Sequence, residues 1–213
     1  LAHRGVLFLD EFPEFKKNVL NTLRQPLEDN TVTISRAERA VTYPANFMFV
    51  ASMNPCPCGY YGHPEIVCRC SEEKIRNYVS RISGPILDRI DIQLEVPKVT
   101  YGDMAESKKT ADSHEMMKRV VAAREIQLAR FKGTSILSNS EMPRRMIEDY
   151  CQTGESGKKL LKMAMDRLGL SARAYDKILR VARTIADLNG AEKIQEEDIM
   201  EAIQYRSVDR ILK

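Results

Sequence analysis

Near its start the chain reads Val6-Leu7-Phe8-Leu9-Asp10-Glu11, four apolar residues followed directly by two carboxylates. A short continuous apolar run is typical of a strand buried on both faces of a parallel sheet. The carboxylates would then lie at the carboxyl end of the strand, where open α/β sheets place their ligands. The pair suits ATP hydrolysis, because Asp10 can hold Mg²⁺ on the phosphates while Glu11 polarises the attacking water.

The phosphate-binding loop expected beside such a strand, G-x-x-x-x-G-K-[ST], does not occur in the 213 residues. The nearest match lies at 154–159, but Gln152 replaces the first glycine and Lys159 replaces the hydroxyl that binds Mg²⁺. It also follows a helical stretch instead of a strand, and we therefore reject it. Because the chain begins at Leu1 without an initiator methionine, we expect the nucleotide-binding half to lie upstream. This piece alone should then hydrolyse ATP poorly or not at all.

The composition is that of a folded, globular chain, with 43% hydrophobic and 30% charged residues. No apolar run approaches the length of a membrane span, and no basic leader precedes an apolar stretch. We therefore expect a cytoplasmic protein without membrane contact. The net charge of +3 comes from 33 basic and 30 acidic residues, which is nearly balanced. DNA binding must therefore be judged from the local placement of charges.

The composition changes near Pro97, with strands and short helices before it and amphipathic helices after it. Pro26 is expected to loosen or end the first helix. Ser171 and Asn189-Gly190 carry the start and stop signals of a long helix in the second part. The first part predicts strands at about 6–9, 47–51 and 90–96, a β-hairpin over 31–43, and helices near 16–27 and 71–80. The second part predicts helices near 112–130, 143–151, 158–168, 171–188 and 196–206.

Three further residues have side chains suited to a phosphate site. Asn54 ends the second apolar strand, where its amide could orient water, although an asparagine before a proline is commonly a turn residue. Arg89 could stabilise a transferred phosphoryl group from a neighbouring subunit, or form a surface salt bridge with Asp88 or Asp91. Arg173 lies in the first turn of a predicted helix, where it could bind phosphate or simply be solvated.

Several of these motifs occur in one order along the chain. They are residues 5–11, the hairpin 31–43, Met53-Asn54-Pro55-Cys56-Pro57-Cys58-Gly59, residues 81–91, and Ser171-Ala172-Arg173. Together they resemble the C-terminal part of magnesium-chelatase-like AAA+ ATPases of the ComM/YifB type. The resemblance covers essentially the whole chain, and the combination is more specific than any single motif.

The resemblance implies a role for each candidate residue. Asp10 and Glu11 would be the Walker B pair, Asn54 sensor 1, Arg89 the arginine finger and Arg173 sensor 2. Residues 1–97 would be the second half of an α/β AAA+ P-loop NTPase core, with 31–43 as an inserted β-hairpin, and 98–213 an all-α lid. The family implies ATP and Mg²⁺ as cofactors, and a homo-oligomeric ring, a hexamer, for the full-length protein.

Four of the five cysteines form two Cys-x-Cys pairs separated by nine residues. The intervening glycines and proline allow the pairs to come together, so that four thiolates could close a tetrahedral Zn²⁺ site. The spacing is tighter than the usual C-x₂-C, and His63 in the loop is a possible substitute ligand. Free thiols or disulfides are the alternative. The pairs are Cys56 with Cys58 and Cys68 with Cys70, and Cys151 is expected to be a small buried apolar residue.

Arg36 and Arg39 bracket the tip of the predicted hairpin, which in a ring would line the pore and could grip a phosphate backbone. Glu38 between them weakens that argument, and a solvated hairpin is the alternative. The leading hypothesis, which the ComM-type resemblance implies, is an ATP-driven ring motor that remodels DNA by helicase or branch-migration activity during recombination of incoming DNA. The competing hypotheses are a chelatase-type motor that acts on a protein partner for metal insertion into a porphyrin, and a metal-stapled interaction module without nucleotide.

Overall fold

The computed structural model describes residues 1–36, 39–97 and 112–206. The chain divides into two compact units, Leu1–Ile90 and a second unit that begins at Asp91. The change of composition near Pro97 falls shortly after this division. No helix in the described ranges is both long enough and apolar enough to cross a membrane.

The first unit combines strands with short helices. Its strands are β1 (Val6–Leu9), β2 (Thr31–Arg36), β3 (Arg39–Pro44) and β4 (Met48–Ala51), and its helices are α1 (Lys17–Thr22), α2 (Arg24–Asp29), α3 (Glu72–Val79) and α4 (Gly84–Leu87). Strands β1 and β4 pair in parallel, with Val6 opposite Met48 and Leu9 opposite Ala51. Strands β2 and β3 form the predicted antiparallel hairpin, with Arg36 opposite Arg39. The parallel pair and the hairpin are confirmed.

The prediction that the first strand is buried on both faces is wrong for this structure. Leu9 and Phe49 pack on one side, against a small core of Phe12, Leu20, Ile82 and Ile86. On the other side, the alternate residues Val6 and Met48 are 59% and 66% exposed. Successive side chains of a strand point to opposite faces, and no described residue covers the second face. The apolar run therefore has the composition of a strand that is buried on both faces, but only one of its faces is packed.

The helix predicted over 16–27 is two helices, because the chain breaks between α1 and α2 at Leu23. Pro26 lies inside the first turn of α2, a position where its missing N–H costs no hydrogen bond. The proline therefore helps to start a second helix instead of ending the first. That helix continues to Asp29, and Asn30 ends it in the left-handed conformation.

The strand predicted near 90–96 does not form, although all of these residues are described. A strand needs an extended neighbour for its hydrogen bonds, and each sheet of the described residues has only two strands. The backbone N–H of Gln93 instead donates to the carbonyl of Tyr205, at 2.8 Å. The segment therefore runs along the second unit as an irregular stretch.

The second unit is helical, as predicted, with boundaries within a few residues of those expected. Its helices are α5 (Ser113–Arg130), α6 (Arg144–Tyr150), α7 (Glu155–Leu168), α8 (Ala172–Leu188) and α9 (Glu196–Gln204). The Ser171 hydroxyl accepts from the N–H of Ala174 at 3.2 Å, which confirms it as the cap of α8. Helix α8 is central to the core of this unit, with Ile178, Ala182 and Ala186 almost completely buried.

The rejected loop at 154–159 forms the start of α7, and its glycine serves packing. A Cβ on Gly157 would lie 2.6 Å from Cδ1 of Ile199, a residue of α9. The absent side chain therefore allows α7 and α9 to approach closely. Lys158 pairs with Glu155 at 2.7 Å on the surface. This segment is a helix start within an all-helical unit, which is a setting unlike that of a phosphate-binding loop.

Candidate functional site

Asp10 and Ser52 lie side by side at the carboxyl end of the parallel pair. The ladder continues past both strands, since the N–H of Ser52 donates to the carbonyl of Leu9 at 3.0 Å and the N–H of Phe12 donates to the carbonyl of Ser52 at 2.9 Å. This pairing brings the Ser52 hydroxyl within hydrogen-bonding contact of Asp10 Oδ1. The same oxygen accepts from the N–H of Glu11 at 3.0 Å. One oxygen of Asp10 is thus held by two donors, which fixes the orientation of an exposed carboxylate.

Glu11 has a left-handed backbone, with φ 50° and ψ 46°. This conformation is uncommon for a residue other than glycine and costs on the order of 1 kcal/mol or more. It turns the chain sharply between β1 and the buried pair Phe12-Pro13. The glutamate is therefore presented at the turn, exposed beside the end of the strand. A strained, exposed carboxylate of this kind is more typical of a functional site than of a connecting loop.

Asn54 follows Ser52 by two residues, beyond the end of β4, and is exposed. Its backbone lies close to the phenol of Tyr78, a buried residue of α3, and lowers the pKa of that phenol slightly. Burial raises the pKa of Tyr78, and the nearby carboxylate of Glu14 adds to the effect, so that the phenol stays protonated. The structure therefore brings Asp10, Glu11 and Asn54 to one edge of the sheet, with the backbone of Asn54 close to Tyr78.

Arg89 lies in the first unit, where its guanidinium forms an ion pair with Glu28 of α2. It also donates to the carbonyl of Pro85 at 2.6 Å, and its side chain is only 11% exposed. Glu28 is therefore a partner of Arg89 that the sequence did not indicate, since only Asp88 and Asp91 were considered there. Asp91 pairs instead with Lys177 at 2.5 Å, in the second unit. In this arrangement Arg89 is folded back onto its own chain.

The remaining predicted residues belong to other elements. Arg173 lies exposed in the first turn of α8, which belongs to the second unit. Arg39 is exposed at the start of β3, opposite Arg36 in the hairpin register. The side chain of Arg36 lies outside the described part of the chain, as do residues 37 and 38 at the tip.

The four clustered cysteines meet in one place. The Sγ atoms of Cys56 and Cys58 are 3.4 Å apart, and that of Cys68 lies 3.7 Å and 3.6 Å from them. Together with the Sγ of Cys70, all four sulfurs lie within 4.8 Å of one another. All are free thiols, and Cys56 is completely buried. The backbone N–H of Tyr60 lowers the pKa of Cys58 to about 6. The hydrogen bond with Cys58 and burial raise the pKa of Cys70, and burial and the neighbouring thiols raise the pKa of Cys68 to about 12 against the N–H of Cys70.

His63 is separate from this group. Its Nδ1 accepts from the backbone N–H groups of Glu65 and Ile66, at 3.1 and 3.0 Å. Its ring contacts Tyr60 edge to face. The histidine therefore organises the loop between the two cysteine pairs, and the ligand set holds four sulfurs without it. Cys151, as expected, is buried in the second unit, and burial raises its pKa to about 11.

Comparison with known proteins places the chain in a family. Residues 1–104 match the family model of magnesium chelatase, subunit ChlI, and residues 110–206 match that of the C-terminal part of the same subunit. The uncharacterised protein YifB of Salmonella typhimurium is 41% identical over 214 residues, and the competence protein ComM of Haemophilus influenzae is 42% identical over 214 residues. The chain belongs to the magnesium-chelatase-like AAA+ family. The resemblance stated from the motifs is confirmed.

Each of these two alignments covers 100% of the chain but only 41% of the relative, so the chain spans about two fifths of the length of the curated relatives it matches. A weaker similarity, 23% identity over 222 residues, links it to maternal DNA replication licensing factor mcm6 of Xenopus tropicalis. That alignment covers 97% of the chain and 25% of the licensing factor.

Sequence reasoning missed two residues of this magnesium-chelatase-like chain that contact candidate site residues. Ser52 orients Asp10. Its position could have indicated this contact, because Ser52 directly follows β4 and lies two residues before Asn54, the spacing that places strand side chains on one face. Glu28 binds Arg89 across 61 residues of sequence, and nothing in the local pattern indicates that partner.

Proposed function

We propose that this chain supplies the water-activating side of an ATP site in an AAA+ motor that acts on DNA. The observation that carries the proposal is the carboxyl edge of the pair β1–β4, where Asp10, Glu11 and Asn54 follow two neighbouring strands. Carboxylate oxygens at such an edge suit Mg²⁺, a hard cation that prefers oxygen ligands. ATP, the nucleotide expected for the family, supplies the phosphoryl group that is transferred to water.

The residues at the edge have separate tasks in this proposal. Asp10 binds Mg²⁺, with its carboxylate oriented in advance by the Ser52 hydroxyl. Glu11 polarises the attacking water from its exposed position in the turn that follows β1. Asn54 orients the same water from a position where its backbone lies close to Tyr78. Orientation of this kind is the main contribution that a protein makes to phosphoryl transfer.

The two predicted arginines have separate roles in this proposal. Arg173 binds phosphate from the first turn of α8. Arg89 acts across the interface of a ring, a homohexamer, after it leaves Glu28 for the neighbouring nucleotide. The ion pair with Glu28 is then the resting position of the arginine.

The catalytic part is tested by Glu11→Gln in the natural full-length protein. Glutamine keeps the size of the side chain but cannot act as a base, so turnover should fall roughly 10²–10⁴-fold. Binding of ATP should be unchanged, because the phosphate and Mg²⁺ contacts do not involve Glu11. The measurements are steady-state ATP turnover and equilibrium binding of a fluorescent ATP analogue.

The matched control is Glu14→Gln, three residues along the same turn. Glu14 pairs with Arg81 on the surface, and such a pair contributes about 0–1 kcal/mol, so turnover should be unchanged. Equal turnover in Glu11→Gln and Glu14→Gln would show that Glu11 does not activate water and would overturn this part of the proposal.

The DNA part rests on the hairpin β2–β3. All residues of β3 are exposed, and the hairpin places Arg36 and Arg39 in register beside its tip. Paired arginines on an exposed hairpin can neutralise phosphates of a nucleic-acid backbone. The names of two relatives point the same way, because ComM is named a competence protein and mcm6 a DNA replication licensing factor.

The double variant Arg36→Ala/Arg39→Ala tests this assignment in the full-length protein. DNA should stimulate ATP turnover of the parent, and the variant should lose most of that stimulation. The salt dependence of DNA binding should become shallower by about one unit of slope for each arginine removed. Arg144→Ala/Arg145→Ala, which removes the same charge from the exposed start of α6, is the control and should retain stimulation. A parent enzyme indifferent to DNA would instead favour a chelatase-type motor that acts on a protein partner.

A further inference from the structure

The loop between Asn54 and α3 has no apolar core of its own. Its exposed residues include Tyr60, Tyr61 and Val67, and the last is 84% exposed. Residues 52–71 contain no helix or strand. Loops longer than about 12–15 residues without secondary structure are uncommon in compact domains and are usually functional or disordered. The one completely buried side chain within it is the thiol of Cys56.

The four sulfurs have the spacing of a single tetrahedral metal site. With Zn–S bonds of about 2.3 Å, the sulfurs at the corners of a tetrahedron lie about 3.8 Å apart. Three of the observed separations are 3.4, 3.6 and 3.7 Å, close to that value. A disulfide would need sulfurs about 2.05 Å apart, and all four thiols are free. The cluster is therefore too open for disulfides and compact enough for one ion.

Backbone groups around the cluster suit bound thiolates. The N–H of Cys70 donates to the Sγ of Cys68 at 3.4 Å, and the N–H of Gly59 closes a turn on the carbonyl of Cys56 at 3.0 Å. Gly59 has a φ of 80°, which lets the chain reverse directly after the first pair. The tight turn after the first Cys-x-Cys pair allows both of its sulfurs to face the second pair.

We propose that Cys56, Cys58, Cys68 and Cys70 bind one Zn²⁺ ion, which fastens both ends of the loop that follows Asn54. The ligand set is four soft thiolates in tetrahedral array, for which zinc is the redox-inert choice. The ion joins the segment two residues after Asn54 to the segment directly before α3. Because the backbone of Asn54 lies close to Tyr78 of α3, the ion fastens the two segments that meet at this contact. The metal site itself does not depend on the proposed ATPase activity.

The first test is metal analysis of this chain, purified without chelator and without a nickel column. We expect one zinc per chain by mass spectrometry, and a cobalt-substituted sample should show the intense sulfur-to-cobalt absorption of tetrahedral thiolate sites. Cys70→Ser should lose the zinc. Loss of an outer contact already weakens metal sites 10–100-fold, so loss of a thiolate should raise the dissociation constant at least ~100-fold. Cys151→Ala, which removes the cysteine outside the cluster, should keep one zinc.

A second measurement separates loss of zinc from loss of folding. Hydrogen exchange should become faster over residues 54–79 when zinc is removed by chelator or by Cys70→Ser. Exchange in α8 should not change, because that helix packs in a core of the second unit. Protein that carries no zinc and takes up none on addition, or that carries iron in its place, would overturn the proposal. Unchanged exchange over 54–79 after zinc removal would overturn the fastening role.

Discussion

At the scale of single residues, Asp187 lies at the centre of a buried group of charges in the second unit. Its side chain is completely buried and accepts from Arg130 at 2.5 and 2.7 Å, from Asn139 at 2.8 Å and from Arg183 at 3.0 Å. Burial by itself would raise the pKa of Asp187, but the hydrogen bonds from Arg130 and Asn139 outweigh it and hold the pKa below its ordinary value. The carboxylate therefore links the ends of α5 and α8 as a charged group.

The variant Asp187→Asn should be strongly destabilised, because it leaves two guanidinium groups with no buried counter-charge. Breaking a buried pair by removing one partner typically costs about 3–5 kcal/mol, and we expect a loss of that size in the free energy of unfolding. Urea denaturation followed by circular dichroism measures it. Asp166→Asn, the same change at an exposed position of α7, should lie within ~0.5 kcal/mol of the parent. If both variants were equally stable, the buried cluster would contribute nothing.

The same residue predicts a dependence on pH. The pKa of Asp187 is lowered in the folded state, whereas it is about 3.9 in an unfolded chain. The folded protein thus binds the proton less readily, so the stabilisation is complete above about pH 5 and is lost as the pH falls below ~4 through the folded pKa. Asp187→Asn should show a flatter loss of stability in this acid range than the parent. An equally steep loss in both proteins would assign the acid sensitivity to other carboxylates.

At the scale of elements, the sequence predicted those helices and strands whose formation depends on residues within the element itself. Helix α8 and its Ser171 cap could be predicted because the apolar period and the cap lie within the helix itself. The hairpin and the parallel pair followed from alternation and from apolar runs. The absent strand near 90–96 was not predictable in this way, because a strand depends on a neighbour elsewhere in the chain. The break at Leu23 was also missed, because proline was read as a stop signal when it also suits a first turn.

The candidate site likewise has a part that the sequence indicated and a part that only the structure shows. Asp10, Glu11 and Asn54 were predicted to lie together because each comes shortly after an apolar strand, and parallel strands bring their carboxyl ends together. The cysteines were found from composition and spacing. The bond from Ser52 to Asp10 spans 42 residues and the ion pair of Arg89 spans 61, and both depend on how distant segments pack. Sequence patterns therefore indicated the candidate groups, while the contacts that orient them required the tertiary structure.

At the scale of the whole molecule, the two units differ in the size of their cores. Among the described residues, four buried hydrophobic side chains form the core of the first unit, and fifteen form that of the second. One face of the β1–β4 pair, with Val6 and Met48, is apolar and exposed. Since burial of apolar area is the dominant favourable contribution to folding, the second unit should be the more stable of the two.

This difference predicts that the 213-residue chain does not unfold in a single two-state transition. Amides of β4 should exchange with solvent at a lower denaturant concentration than amides of α8, because local stability follows the packed core around each element. Hydrogen exchange with mass spectrometry at increasing urea measures both in one sample. Saturating zinc should delay exchange in the first unit alone, since a ligand at 100 times its dissociation constant adds about 2.7 kcal/mol to the state that binds it. Simultaneous exchange of β4 and α8 at every urea concentration would show that the two units unfold as one.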